Sequence, residues 1–160
     1  MDALIKASLY IGTILLVGAG GYGFFIGRSR TRALLIYAGL GYILLSLSSS
    51  IHLIKTMSNI LGRFDPEFVW QYATNTQHGN MTFIRIGLAT FLLALLSLSR
   101  WPKVRNILFA LASLGTLSTF STLSHAATMQ GTSALLADLI HFSCATLWIG
   151  AIGFSLVQQV

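Results

Sequence analysis

Residues 7–26 read ASLYIGTILLVGAGGYGFFI, a stretch without Asp, Glu, Lys, Arg or His. About 20 such residues wound as a helix cross the ~30 Å hydrocarbon core of a bilayer. Residues 33–54, ALLIYAGLGYILLSLSSSIHLI, repeat the pattern, and three further runs follow. Residues 81–99 are apolar apart from Arg85, residues 106–124 are apolar but rich in Ser and Thr, and residues 133–157 are apolar apart from Asp138 and His141. Pro66 and Pro102 both fall between runs, where a helix tolerates them. The spacing therefore predicts an all-α integral membrane protein: one domain over 1–160, about five transmembrane helices and a short interfacial helix in an outer loop.

Composition agrees with this. Of 160 residues 54% are hydrophobic and only 9% are charged, whereas a soluble domain carries about 25% charged residues. The formal net charge of +6 asks for no nucleic acid, because the cations sit between the runs, where they set topology. Arg28, Arg30 and Arg32 follow the first run, and Arg100, Lys103 and Arg105 follow the third. Both turns are expected in the cytoplasm, with the amino terminus outside and the carboxyl terminus inside. The first run is not read as a secretion signal, since the one Lys6 ahead of it is balanced by Asp2 while Arg28, Arg30 and Arg32 follow it. The lone Cys144 excludes an intrachain disulfide and any CxxC chemistry, and no nucleotide, hydrolase or zinc-protease motif is present.

In the outer connection over 55–80, Asp65, Pro66 and Glu67 spell an N-cap, a first-turn proline and an acidic first turn. A short helix should follow, with Phe68, Trp70 and Tyr72 resting at the membrane surface. Gly23 and Gly27 in the first run, and Gly39 and Gly41 in the second, suit close helix crossings, read here as packing within one chain.

The alternation of turns places all four histidines, His52, His78, His125 and His141, toward the outer side, with Met57, Met81 and Met129 at the same level. Imidazole suits copper and thioether favours Cu(I), so the collection points to a soft metal. His141, about two turns below the outer end of its run, is the strongest single candidate ligand, with His52, His78, His125 and Met129 as further donors. Asp138, three residues before His141, shares its helix face and is expected to pair with Arg85 while orienting the imidazole. Trp148 would close the site beneath, and Cys144 is read as a buried inert thiol.

Thr76, Gly79 and Arg85, then Ser124, His125, Ala126 and Ala127, then Asp138, His141, Trp148 and Gly150 within LIHFSCATLWIGAIGF, give the chain a recognisable character. Over about 74–154 it resembles the CopD/PcoD copper-resistance membrane domain, found also in YcnJ-type proteins, with Ala151 standing where a second glycine is usual. The resemblance implies a bacterial inner-membrane protein of copper uptake or periplasmic copper handling, without catalytic residues. It selects His125, His141, Trp148 and Gly150, and it makes a periplasmic copper-binding protein and a second copy of the chain candidate partners beside the lipid bilayer. Two other readings stay open. Paired histidines in a helical bundle also hold b-type haem, as in a quinone-linked electron-transfer protein, and a structural subunit would hold no cofactor.

Overall fold

The computed structural model describes residues 2–23, 32–98, 101–123 and 131–158. Among the described residues there is no strand, and six helices account for nearly all of them. Helix α1 runs through Asp2–Thr13, a π-helical turn Ile14–Gly18 and Ala19–Gly21. It is followed by α2 (Arg32–Leu61), α3 (Pro66–Asn75), α4 (Gln77–Ser97), α5 (Pro102–Ser121) and α6 (Gly131–Gln158).

Four stretches, Ala3–Gly21, Arg32–Leu61, Gln77–Ser97 and Gly131–Leu156, are long and apolar enough to cross a membrane, so this is a multi-pass membrane protein. The fifth expected run falls on α5, which is helical over 20 residues but stands outside that set. Lys103, Arg105 and Asn106 occupy its first turns, and Ser113, Thr116, Ser118, Thr119 and Ser121 dilute the rest. Helix α2 is longer than expected. Its 30 residues at about 1.5 Å each span some 45 Å, well beyond the ~30 Å hydrocarbon core, so its carboxyl-terminal turns with Lys55 and Asn59 extend past the apolar run.

Helix α3 forms as the sequence predicts. The Asp65 carboxylate accepts from the backbone N–H groups of Glu67 and Phe68, with Pro66 in the first turn. Trp70 is exposed and meets the Phe83 ring edge to face at 6.3 Å. One residue then ends α3 and begins α4: the Thr76 hydroxyl donates to the Tyr72 carbonyl at 2.8 Å and accepts from the Gly79 N–H at 3.1 Å. A Cβ at Gly79 would overlap the Ala73 backbone, so glycine is what lets the two helices fold back this tightly. Thr76→Ala should lower stability by about 1 kcal/mol, the usual worth of an N-cap. Faster hydrogen exchange at the Gly79 amide, recovered in Thr76→Ser, is the measurement that checks it.

Helix α1 is the hub. It crosses α2 where Gly12 and Gly41 lie backbone to backbone, and its π turn crosses α6 where Gly18 lies against Gly150. The glycines thus pack within the chain, as expected, although Gly39 meets nothing and Gly27 lies outside the described residues. Helix α4 packs between α2 and α5, and α3 folds over its start. The core between them holds Leu16, Leu34, Leu45, Leu92, Phe109 and Phe154. Only 11% of the α6 span is buried, against 44% for α1, which makes α6 the outermost helix.

Candidate metal centre

At the end of the bundle where α1 and α4 begin and α2 and α5 end lies a cavity of about 550 Å³. Lys6, Leu9 and Tyr10 of α1 form one wall, and His52 and Thr56 of α2 a second. Tyr72 of α3 covers it, His78 and Arg85 come from α4, and Phe120 and Leu123 complete it at the end of α5. A smaller recess of about 320 Å³ shares Lys6, His52 and Thr56 with it and adds Lys55 and Asn59.

The two imidazoles face one another. The His52 and His78 ring centres are 5.4 Å apart with the planes at 46°, and the Tyr72 ring centre is 6.2 Å from that of His78. The Thr76 cap and the contact of Gly79 with Ala73 fix the start of α4 and hence the place of His78 on its first turn. The His78 Nε2 is buried without a hydrogen-bond partner, and a buried polar atom left so costs free energy unless something else satisfies it.

Deeper in, Arg85 is only 5% exposed. Its Nε donates to the Thr119 hydroxyl at 2.9 Å, its Nη2 donates to the Thr119 carbonyl at 3.0 Å, and its guanidinium carbon sits 3.9 Å from the centre of the Phe120 ring. Phe120 in turn stacks on Tyr10 and meets Phe142 edge to face. The expected ion pair with Asp138 is therefore corrected: among the described residues Arg85 is held by α5, through a hydroxyl, a carbonyl and a ring face. The cause is helix order. Helix α4 packs on α5, whereas α6 packs on α1 and on α5 from elsewhere, leaving Asp138 partly buried on its own helix.

The remaining expected residues are placed as follows. His141 and Cys144 are exposed on α6, and Trp148 is 69% exposed, none of them lining the cavity. Cys144 is thus not the buried thiol the sequence suggested. His125 and Met129 lie outside the described residues. Among the described residues no three His, Cys, Asp or Glu side chains gather closely enough to hold a metal ion. Lys6, Tyr10 and Thr56 are cavity residues that the sequence reading did not single out, and Tyr72 was read only as an interfacial aromatic. Thr56 was within reach, four residues after His52 on the same helix face with its hydroxyl donating to the His52 carbonyl at 2.8 Å, whereas Lys6, Tyr10 and Tyr72 come from other elements than the histidines they join.

The chain matches the family model described as copper resistance protein D-like, N-terminal domain, over residues 2–135. It belongs to that family. No curated protein and no solved structure matches it. The match takes in α1 to α5 with His52, His78, Arg85 and Thr119, and it ends ahead of Asp138, His141 and Trp148.

For a copper resistance protein D-like chain the question is whether the cavity suits copper as cargo. Two imidazoles that bind one ion through nitrogens about 2 Å from it have ring centres roughly 5 to 6.5 Å apart, depending on the angle at the metal. His52 and His78, at 5.4 Å, lie within that range, and the buried Nε2 of His78 offers a lone pair in the tautomer protonated at Nδ1. The two rings are candidate donors, and among the described residues no third His, Cys, Asp or Glu gathers with them.

Proposed function

We propose that this chain binds copper at the outer face of a bacterial inner membrane, through His52 and His78, and passes it inward or to a periplasmic copper-binding protein. The observation that carries the reading is the facing imidazole pair with the buried, unpartnered Nε2 of His78, both rings lining one cavity. His125 and Met129 complete the ligand set. In sequence they follow Leu123, which lines the cavity, and precede Gly131, which starts α6. Imidazole and thioether together favour Cu(I), and the protein carries the ion without catalysis. All five long helices cross the bilayer, α5 included, with the amino terminus outside as the alternate basic turns require. His141 is left out of the site, since it is exposed on α6 and does not line the cavity.

Copper content of purified protein, measured by elemental analysis after loading and dialysis, tests this. His52→Ala and His78→Ala should each weaken copper binding by about 100-fold, at or above the effect of losing a residue that only orients a ligand. His141→Ala should keep its copper. Full occupancy in both His52→Ala and His78→Ala would move the site elsewhere, and a reducible Soret band in the protein as purified would replace copper by b-type haem.

A further inference from the structure

Among the described residues two cations line the cavity that holds the histidine pair, the exposed Lys6 and the buried Arg85. No Asp or Glu is among the described residues that line it or the adjoining recess. Asp65 caps α3 and faces Arg63 at 3.8 Å, Glu67 follows it in the first turn of α3, and Asp138 lies on α6. Arg85 is a cation buried on a membrane-spanning helix whose hydrogen-bond and ring partners among the described residues are neutral, namely the Thr119 hydroxyl and carbonyl and the Phe120 ring. Ionisable groups in such positions are costly and normally meet a countercharge. The bonds to Thr119 use Nε and Nη2 and leave the Nη1 hydrogens of the guanidinium without a protein acceptor among the described residues.

We propose that this cavity is a binding site for an oxyanion of the phosphate class, seated between Lys6 and Arg85 and beside the His52 and His78 rings. A guanidinium with an unspent donor pair matches tetrahedral oxyanions in shape as well as charge, Lys6 adds a mobile cation, and the hydroxyls of Thr56 and Tyr72 on the lining can donate to remaining oxygens. The phosphate arrives either free from the aqueous side or as the headgroup of an anionic phospholipid, since the cavity opens where the helices leave the apolar layer and Leu9, Phe120 and Leu123 line its apolar part. The site stands on charge and geometry alone and does not need the copper reading. If both hold, the anion offsets the field that Lys6 and Arg85 would otherwise raise against an incoming metal cation.

The test uses metal-free protein treated with chelator and placed in phosphatidylcholine nanodiscs, so that a failure of copper binding leaves its result untouched. Radiolabelled inorganic phosphate should bind saturably at one site per chain. Lys6→Gln, which alters an exposed side chain and so spares the fold, should weaken it roughly tenfold or more, a modest share of what a charged hydrogen bond contributes. Lys103→Gln, at the opposite end of α5 from Phe120, should leave it unchanged. Arg85→Gln should abolish binding where that variant folds. In nanodiscs containing phosphatidylglycerol, loss of phosphate binding together with Lys6-dependent enrichment of that lipid in the purified particle assigns the site to a headgroup, and unchanged phosphate binding assigns it to the free anion. Absence of both saturable phosphate binding and Lys6-dependent lipid enrichment overturns the proposal, as does an equal loss in Lys6→Gln and Lys103→Gln.

Discussion

Gly150→Leu is expected to loosen α6 from the rest of the bundle and to cost about 3 kcal/mol, the upper part of the usual range for forcing extra volume into a packed interior. A Cβ at Gly150 would run into the Gly18 backbone and approach the Ile14 carbonyl, and one at Gly18 would run into the Thr146 carbonyl and the Gly150 backbone. Flexible side chains can step aside from such an overlap; two helical backbones cannot without moving as rods. The consequence is large because α6 has little else to hold it. Its span is 11% buried, and beside this crossing its fixed contacts are aromatic, Phe142 against Tyr10 and Phe120, and Phe154 against Tyr22 and Tyr37. Gly39→Leu, where a Cβ meets nothing, is the matched control and should change stability by less than about 0.5 kcal/mol, as surface substitutions do. Unfolding midpoints of the two variants in the same detergent check this, and equal midpoints would mean that the crossing contributes nothing.

How far the sequence foretold the structure depends on which property carried the information. Helix existence was legible in residues 7–26 and 33–54, because a bilayer demands an unbroken apolar run of fixed length and little else. The capped start of α3 was legible in Asp65, Pro66 and Glu67, because a cap is local chemistry and its partners, the N–H groups of Glu67 and Phe68, are close in sequence. The overrun of α2 past residue 54 was not, since Lys55, Ser58 and Asn59 read as loop until the helix is seen to leave the bilayer. The side that each helix presents was harder still. Helix α6 is apolar nearly all round, so no polar stripe tells which way it faces, and the expectation that Asp138 and His141 look inward had only the cost of burying them against lipid to support it. For Arg85 the sequence offered an acid as the obvious partner, and the structure supplies Thr119, one of a dense set of hydroxyls on α5. Which helix neighbours which is a property of the assembled bundle, and single-chain periodicity does not encode it. The level of His52 and His78, by contrast, followed from counting turns, and the structure brings these two together.

Arg85 and Thr119 should behave as one unit when tested by mutation. Arg85→Met keeps most of the side-chain length while removing the charge, two hydrogen bonds and the contact with Phe120. Hydrogen bonds to a charged group are worth about 1.5 to 3 kcal/mol each, and part of that returns because the cation no longer has to be held out of water, so a net loss of about 2 kcal/mol is expected. Thr119→Val keeps the carbonyl as an acceptor for Nη2 but takes away the hydroxyl that receives Nε, and it also removes the bond from that hydroxyl to the Thr116 carbonyl. A buried guanidinium short of one acceptor pays much of its desolvation cost, and the expected loss is again about 2 kcal/mol. Once Arg85 is Met, however, no cation remains to miss the hydroxyl. The double variant should therefore lose little more than Arg85→Met alone, with a coupling energy of about 1 to 2 kcal/mol, inside the range measured for residues sharing a hydrogen-bond network. Unfolding free energies of the wild type, the two single variants and the double variant in one detergent close this cycle. Additive losses would show that Arg85 and Thr119 act independently, and the tether between α4 and α5 would then have to lie in their apolar contacts.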